Sequence, residues 1–188
     1  KFITYTATYK HAIYDSIILA ETFKDYFKEN TYPDLLEFED DIANISSLII
    51  IFLESPGSLV EFGMFCNNTN LFKKLLVIAP EDKVKNEDSF IFLGPIENIK
   101  KKDPSSIAIY PWPDEKVNPC NNDHIIDLIE LIEKKIQNNS QSVSFSDEHK
   151  GHITFLIYEI IRVSFPILLN EIEISLESMK LKISKSQL

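Results

Sequence analysis

Apolar residues recur along this chain in two rhythms. Short runs of strand length occur at Ser16–Ala20 (SIILA), Ser47–Leu53 (SLIIIFL), Lys74–Ala79 (KLLVIA) and Ser106–Tyr110 (SIAIY), each followed by polar or proline-containing residues. Between and after them the spacing lengthens to the helical period. Asp34–Ile45 (DLLEFEDDIANI) has apolar residues at 35, 36, 38, 42 and 45, and His124–Ile136 (HIIDLIELIEKKI) is strongly amphipathic. Glu21–Glu29 reads as a helix stopped at Pro33, Gly57–Cys66 as another, and Ser89–Lys101 as a helix carrying Pro95. Strands alternating with helices predict an α/β fold, a Rossmann-like parallel sheet flanked by helices on both faces, with Ser47–Leu53 as its central strand.

Beyond Gln137 the strand rhythm stops. NNSQSVSFSDE reads as a polar linker, His152–Ser164 as a helix, and Pro166 as the start of a second helix over Ile167–Leu176. KLKISKSQL then predicts a turn into a third helix capped by Ser184, the opening of a helix-turn-helix or winged-helix unit. The expected organisation is an α/β domain over 1–138, a linker over 139–151 and the start of a helical, winged-helix-like domain over 152–188. Phe155, Leu156, Ile160 and Ile161 are too many apolar groups for one helix in water, so following helices or a partner must cover them.

Composition narrows the function classes. A hydrophobic content of 44% over 188 residues suits a globular core, and no apolar run approaches the roughly 18 residues of a membrane span. The net charge of −10 argues against the main body being a nucleic-acid clamp. That excess lies before Glu148, since acidic and basic residues balance from there on. Cys66 and Cys120 have neither metal-ligand spacing nor disulfide density, and with no signal peptide at the amino end a cytoplasmic setting is expected. The abrupt ends read as those of a piece of a longer protein. No Walker loop, GxGxxG, HExxH or CxxC occurs.

Chemistry concentrates in LESPGSLVEFGMF (Leu53–Phe65), which holds two of the four glycines. Ser55-Pro56 reads as a helix N-cap followed by proline at the first helical position, at the carboxyl end of a strand, where doubly wound sheets bind ligands. Gly57 and Ser58 would admit a ligand to the helix start, whose N–H groups favour anions. Glu61 lies one turn in, among Leu59, Val60 and Phe62, and suits a nucleophile or base at a sugar carbon. A blander reading makes Ser58 and Glu61 the two halves of a capping box. Glu54 closes the same strand. Glu21 closes SIILA and should face the same crevice, unless it merely starts a helix exposed to solvent.

These residues carry a resemblance. Residues 34–65 resemble the nucleoside 2-deoxyribosyltransferase-like fold. LESPGS followed by Glu61 and Gly63 is similar to the effector toxins of bacterial retron anti-phage systems (the RcaT-like group). The likeness extends to IILAE, to KLLVIAP and into the helical tail. It implies an N-glycosidase that cleaves a base from ribose, with NAD⁺ as substrate and no cofactor. Glu61 occupies the place of the family's nucleophile, and Asp34 that of an acidic residue opening the preceding helix. Glu54 and Ser55 stand where the family has a second Asp that orients sugar hydroxyls, which implies ribose rather than deoxyribose. The family's first strand and its glycine-containing loop are not found before Lys1. The implied partner is a retron reverse transcriptase with its multicopy single-stranded DNA–RNA, and the assembly state is open, an oligomer included. Two rivals stand beside this reading: a non-catalytic nucleotide- or nucleic-acid-binding sensor, and a deoxyribosyltransferase of salvage metabolism.

Overall fold

A computed structural model describes residues 1–23, 34–69, 71–84, 89–111, 122–139, 143–181 and 183. The chain divides into two compact units, one of residues 1–31 with 46–141 and one of residues 32–45 with 142–188.

The first unit is built on a three-stranded parallel sheet of β1 (Ile49–Phe52), β2 (Leu75–Pro80) and β3 (Ile107–Tyr110), in the order β1-β2-β3. The register aligns Phe52 with Ile78 and Pro80 with Tyr110. Every residue of β2 is buried, as both faces of a middle strand in a parallel sheet require. The expectation that Ser47–Leu53 is the central strand is therefore corrected. Among the described residues β1 lies at an edge and is mostly half-buried, and LLVIAP occupies the middle.

SIILA is a second correction. Ser16 and Ile17 donate their N–H groups back to the carbonyls of Ile13 and Tyr14, so they continue the turn that ends a short helix instead of joining a ladder. Ile18 is 70% exposed, and a 3₁₀ turn begins at Ala20. Most of the helix expected over Glu21–Glu29 lies outside the described residues, as does the one expected at Ser184.

Helices α1 (Phe2–Tyr9) and α2 (His11–Tyr14) precede the sheet, and α3 (Leu35–Ile45) belongs to the second unit. After β1 comes α4 (Pro56–Phe65), and after β2 comes the short α5 (Glu81–Val84). The proline-bearing helix exists. A π turn over Phe92–Ile96 accommodates Pro95, which has no N–H for the normal ladder, and α6 (Glu97–Lys102) follows. The amphipathic segment forms α7 (Asn122–Asn139). Its Leu128 and Ile132 pack against Leu76, Ile78 and Ala108 on one face of the sheet, where Phe2 also adds its ring. Leu75, Val77 and Ala79 point the other way by strand alternation and are equally buried, so both faces are covered.

In the second unit, α8 (Lys150–Ser164) and α9 (Leu169–Ser178) share a core of Ile160, Ile172, Leu176 and Leu181. The second helix starts at Leu169, not at Pro166–Ile167, and the Glu171 carboxylate accepts the Leu168 N–H at 2.8 Å. Phe155 and Ile161 remain exposed. Helix α3 docks on α8 through a backbone contact. A Cβ on Gly151 would lie 2.4 Å from the Asn44 carbonyl oxygen, so only glycine fits. Beside it, Lys150 Nζ reaches Asp40 at 3.1 Å and Asp41 at 3.2 Å, and these hydrogen bonds raise its pKa. Among the described residues no single helix is long and apolar enough to cross a membrane; α8 and α9 meet that test only as a pair bent by 117°.

Candidate active site

The carboxyl edge of the sheet gathers the strand-end residues of the first unit. Glu54 and Ser55 follow β1, Glu81 and Asp82 follow β2, and Tyr110 ends β3. Helix α4 starts at this edge with Ser55 as N-cap and Pro56 at the first helical position, as its sequence predicts. Its capping box closes on Ser58. The Ser58 N–H donates to Ser55 Oγ, and the Ser55 N–H donates to Ser58 Oγ, both at 3.1 Å. The alternative box between Ser58 and Glu61 is therefore excluded, because Glu61 lies six residues past the cap.

This self-capping changes what the helix start can offer a ligand. Pro56 has no N–H, Ser58 has spent its own on Ser55, and the Leu59 N–H bonds the Ser55 carbonyl at 3.2 Å. Gly57 keeps the one first-turn N–H not used inside this network. Its φ is not positive, and an added Cβ would meet only Ser55 Oγ at 3.7 Å, an ordinary contact. Neither backbone conformation nor packing in the first unit requires glycine here.

Glu61 is half-buried. It shares a helix face with Gly57 and Ser58, four and three residues back, and helical Cβ atoms tilt toward the helix start, here the carboxyl edge of the sheet. The next position, Phe62, is buried, whereas Leu59 is exposed and Val60 is 64% exposed. The apolar flank expected around Glu61 thus reduces to one side.

Asp34 belongs to the second unit, where its Oδ1 accepts the Glu37 N–H at 2.8 Å and caps α3. It is exposed. Glu54 is exposed directly behind β1, and the Glu21 side chain lies outside the described residues.

A third group at this edge has no sequence motif. Tyr110 donates its hydroxyl to Asp127 Oδ2 at 3.0 Å, and its ring lies 5.9 Å from that of His124, both partners being on the first turns of α7. Burial, then the hydrogen bond to Asp127 and its charge, push the Tyr110 hydroxyl up to about 12. The pair keeps a polar, hydroxyl-ordered surface at the end of β3. In the second unit a cleft of about 300 Å³ is lined by Phe145, Leu156, Met179 and Leu181, none of which can polarise a glycosidic bond. Among the described residues no group of three or more His, Cys, Asp or Glu side chains is arranged to hold a metal ion.

Comparison with known proteins adds the family. The profile described as STM3845 retron effector protein matches residues 1–188. The chain is similar to a retron Ec86 protein of Escherichia coli, provisionally named a ribosyltransferase/DNA-binding protein, at 38% identity over 87 residues, 46% of this chain and 28% of that one. It is also similar to a retron Ec73 protein of Escherichia coli with the same provisional name, at 29% identity over 157 residues, 77% of this chain and 49% of that one. The matched regions thus cover less than half the length of either relative.

Proposed function

Since the chain belongs to the STM3845 retron effector family, we propose that it is a toxin of a retron defence system that cleaves the N-glycosidic bond of NAD⁺ or a related nucleotide. The observation that carries this reading is Glu61. It is a half-buried carboxylate on the helix behind β1, six residues past the Ser55 cap and tilted toward the edge where α/β sheets bind ligands. The provisional ribosyltransferase naming of two relatives supports the same chemistry.

In the reaction the C1′–N bond breaks, and its electron pair neutralises the positive nicotinamide ring, which leaves without a proton. Positive charge grows on the ribose, and Glu61 either bonds C1′ or stabilises the oxocarbenium-like centre until water adds and releases a proton. Glu54, Glu81, Asp82 and Asp127 lend the edge a negative field that suits a cationic centre. Ser55, Gly57 and Ser58 would hold ribose hydroxyls, and Glu21 would join them. The resemblance gives Asp34 to the leaving base. It also makes the α/β part deoxyribosyltransferase-like and the helical tail winged-helix-like, docked on the reverse transcriptase and its DNA–RNA product.

Incubation of the full-length protein with NAD⁺ and a nucleotide panel, alone and with its reverse transcriptase complex, tests the proposal by chromatography of released base. Release of nicotinamide is expected. Tight nucleotide binding without any release would assign the domain to sensing instead.

A further inference from the structure

Tyr110 ends β3 at the carboxyl edge, opposite Pro80 of β2 and two residues past the level of Phe52 in β1. At the usual spacing of paired strands it lies about 10 Å across the edge from the end of β1, a distance that a nucleoside spans. Its half-buried ring is held in place. Like Phe52, it packs on the core beneath α7, and the His124 ring lies 5.9 Å away. The hydroxyl is at the far end of that ring, and its partner Asp127 is exposed, so a ligand at this edge can reach the oxygen.

A tyrosine hydroxyl has one proton to donate and lone pairs with which to accept. The Tyr110 proton goes to Asp127 Oδ2 at 3.0 Å, and among the described residues nothing donates to the Tyr110 oxygen. The carboxylate polarises the O–H bond and makes that oxygen a stronger acceptor. Burial, and after it Asp127, raise the pKa of the hydroxyl and keep the proton in place. The edge therefore presents an acceptor with a negative charge behind it, a combination that suits an uncharged N–H donor and repels an anion. Packing accounts for the ring but not for the hydroxyl. Helix capping does not account for Asp127, which lies five residues past Asn122 and so beyond the first turn of α7.

We infer that Tyr110, ordered by Asp127, is a specificity residue of the candidate active site, accepting a hydrogen bond from an uncharged amide or amino group on a base of the dinucleotide. In NAD⁺ two groups have this chemistry, the nicotinamide carboxamide and the 6-amino group of adenine. A nicotinic acid ring brings a carboxylate in place of the first, and hypoxanthine a carbonyl oxygen in place of the second. Each sets an acceptor against the Tyr110 oxygen, and the carboxylate also meets the Asp127 charge. The inference rests on the dinucleotide reading of the site given above, but not on cleavage, because it is read from binding.

The test is calorimetric binding of NAD⁺, nicotinic acid adenine dinucleotide and nicotinamide hypoxanthine dinucleotide to the full-length protein. The Glu61→Gln chain replaces the wild type where a ligand is consumed. NAD⁺ should bind about 10-fold more tightly than one of the two analogues, the scale of one hydrogen bond, and that analogue identifies the group at Tyr110. Tyr110→Phe should weaken NAD⁺ about 10-fold and leave that analogue unchanged. Asp127→Asn frees the hydroxyl to donate, so it should strengthen the same analogue several-fold. A pair that only supports the fold would weaken all three ligands alike in both variants, and that result would overturn the inference. Equal affinities in the wild type, or no binding of NAD⁺, would do the same. Discriminating binding without release of base would uphold the inference and end the glycosidase reading, whereas release of base from all three at equal efficiency would do the reverse.

Discussion

Ser55 and Ser58 cap each other, amide to hydroxyl in both directions at 3.1 Å. The exchange settles which residues guard the start of α4, and Glu61 is not one of them. Glu61→Gln keeps the size of the side chain and its hydrogen-bonding capacity, so it should fold with a denaturation midpoint close to that of the wild type. It should lose base release by about 100-fold or more, the scale of removing one electrostatic stabiliser from an active site. Turnover within threefold of wild type by a folded Glu61→Gln protein would remove Glu61 from the chemistry.

The two glycines of α4 make a matched pair of probes. Gly63 is mid-helix with nothing within 4 Å of a built Cβ, so Gly63→Ala should stabilise the protein by about 0.5–1 kcal/mol and leave activity alone. Gly57→Ala is equally tolerated by its neighbours. If substrate approaches the Gly57 N–H, this methyl group should raise KM several-fold without lowering thermal stability. An unchanged KM would place the substrate elsewhere.

Asp34 holds the Glu37 N–H, a duty that asparagine performs as well as aspartate. Asp34→Asn should leave urea stability within a few tenths of a kcal/mol, whereas Asp34→Ala should cost about 1 kcal/mol. Activity separates the roles. A capping residue gives full base release in the Asn variant, and a residue acting on the leaving base gives little.

Burial would by itself raise the Asp103 pKa, but hydrogen bonds from Ser105, Lys135 and Ser106 and the Lys135 charge outweigh it and hold the carboxyl below its ordinary value. The folded pKa is depressed, so its stabilisation is present above the unfolded value near about 4 and is lost as pH falls through the folded one. Asp103→Asn should remove that part of the acid sensitivity. At neutral pH it should cost up to about 3 kcal/mol, because it leaves the Lys135 ammonium buried without a counter-charge. Urea midpoints at pH 7 and across the acid range would measure both effects.

Tyr110 should announce itself by absorbance. Its pKa is raised to about 12 by burial and by Asp127, so it should ionise after an unperturbed tyrosine does near 10. The linked stability is full below pH 10 and falls as pH rises toward 12. Asp127→Asn should bring the late tyrosinate transition at 295 nm forward, and Tyr110→Phe should delete it. A titration without a late component in the wild type would contradict the observed hydrogen bond.

The sequence was most readable where one local rule sufficed. β2, β3, the amphipathic α7 and the Ser55-Pro56 start of α4 all follow from run length, period or capping chemistry. SIILA failed because its Ser16 and Ile17 amides were already committed to the preceding turn, which an apolar count does not register. The place of β1 failed because strand order follows from where each crossover lands, not from which run is most apolar. At the candidate site, the place of Glu61 one turn into the helix behind β1 was legible, but the exposure of Leu59 and Val60 was not. Tyr110 and Asp127 meet across 17 residues with no shared motif. Lys135 did leave a trace: it sits three residues past Ile132, on the apolar stripe of α7, where a lysine must find buried partners.

Helix α3 reaches its partners Lys150 and Gly151 across more than a hundred residues of chain, since the Lys150–Asp40 bond spans 110. At ribosomal speeds of about 5–20 residues per second, α3 leaves the exit tunnel roughly 5–20 s before α8 does. All three strands of the parallel sheet emerge in that interval. The first unit can therefore close while the acidic face of α3, with Asp40 and Asp41, is still waiting for its lysine. A chain held on the ribosome once α7 has left the tunnel, but before α8 has, would present the carboxyl edge and Glu61 already in place and the second unit unmade.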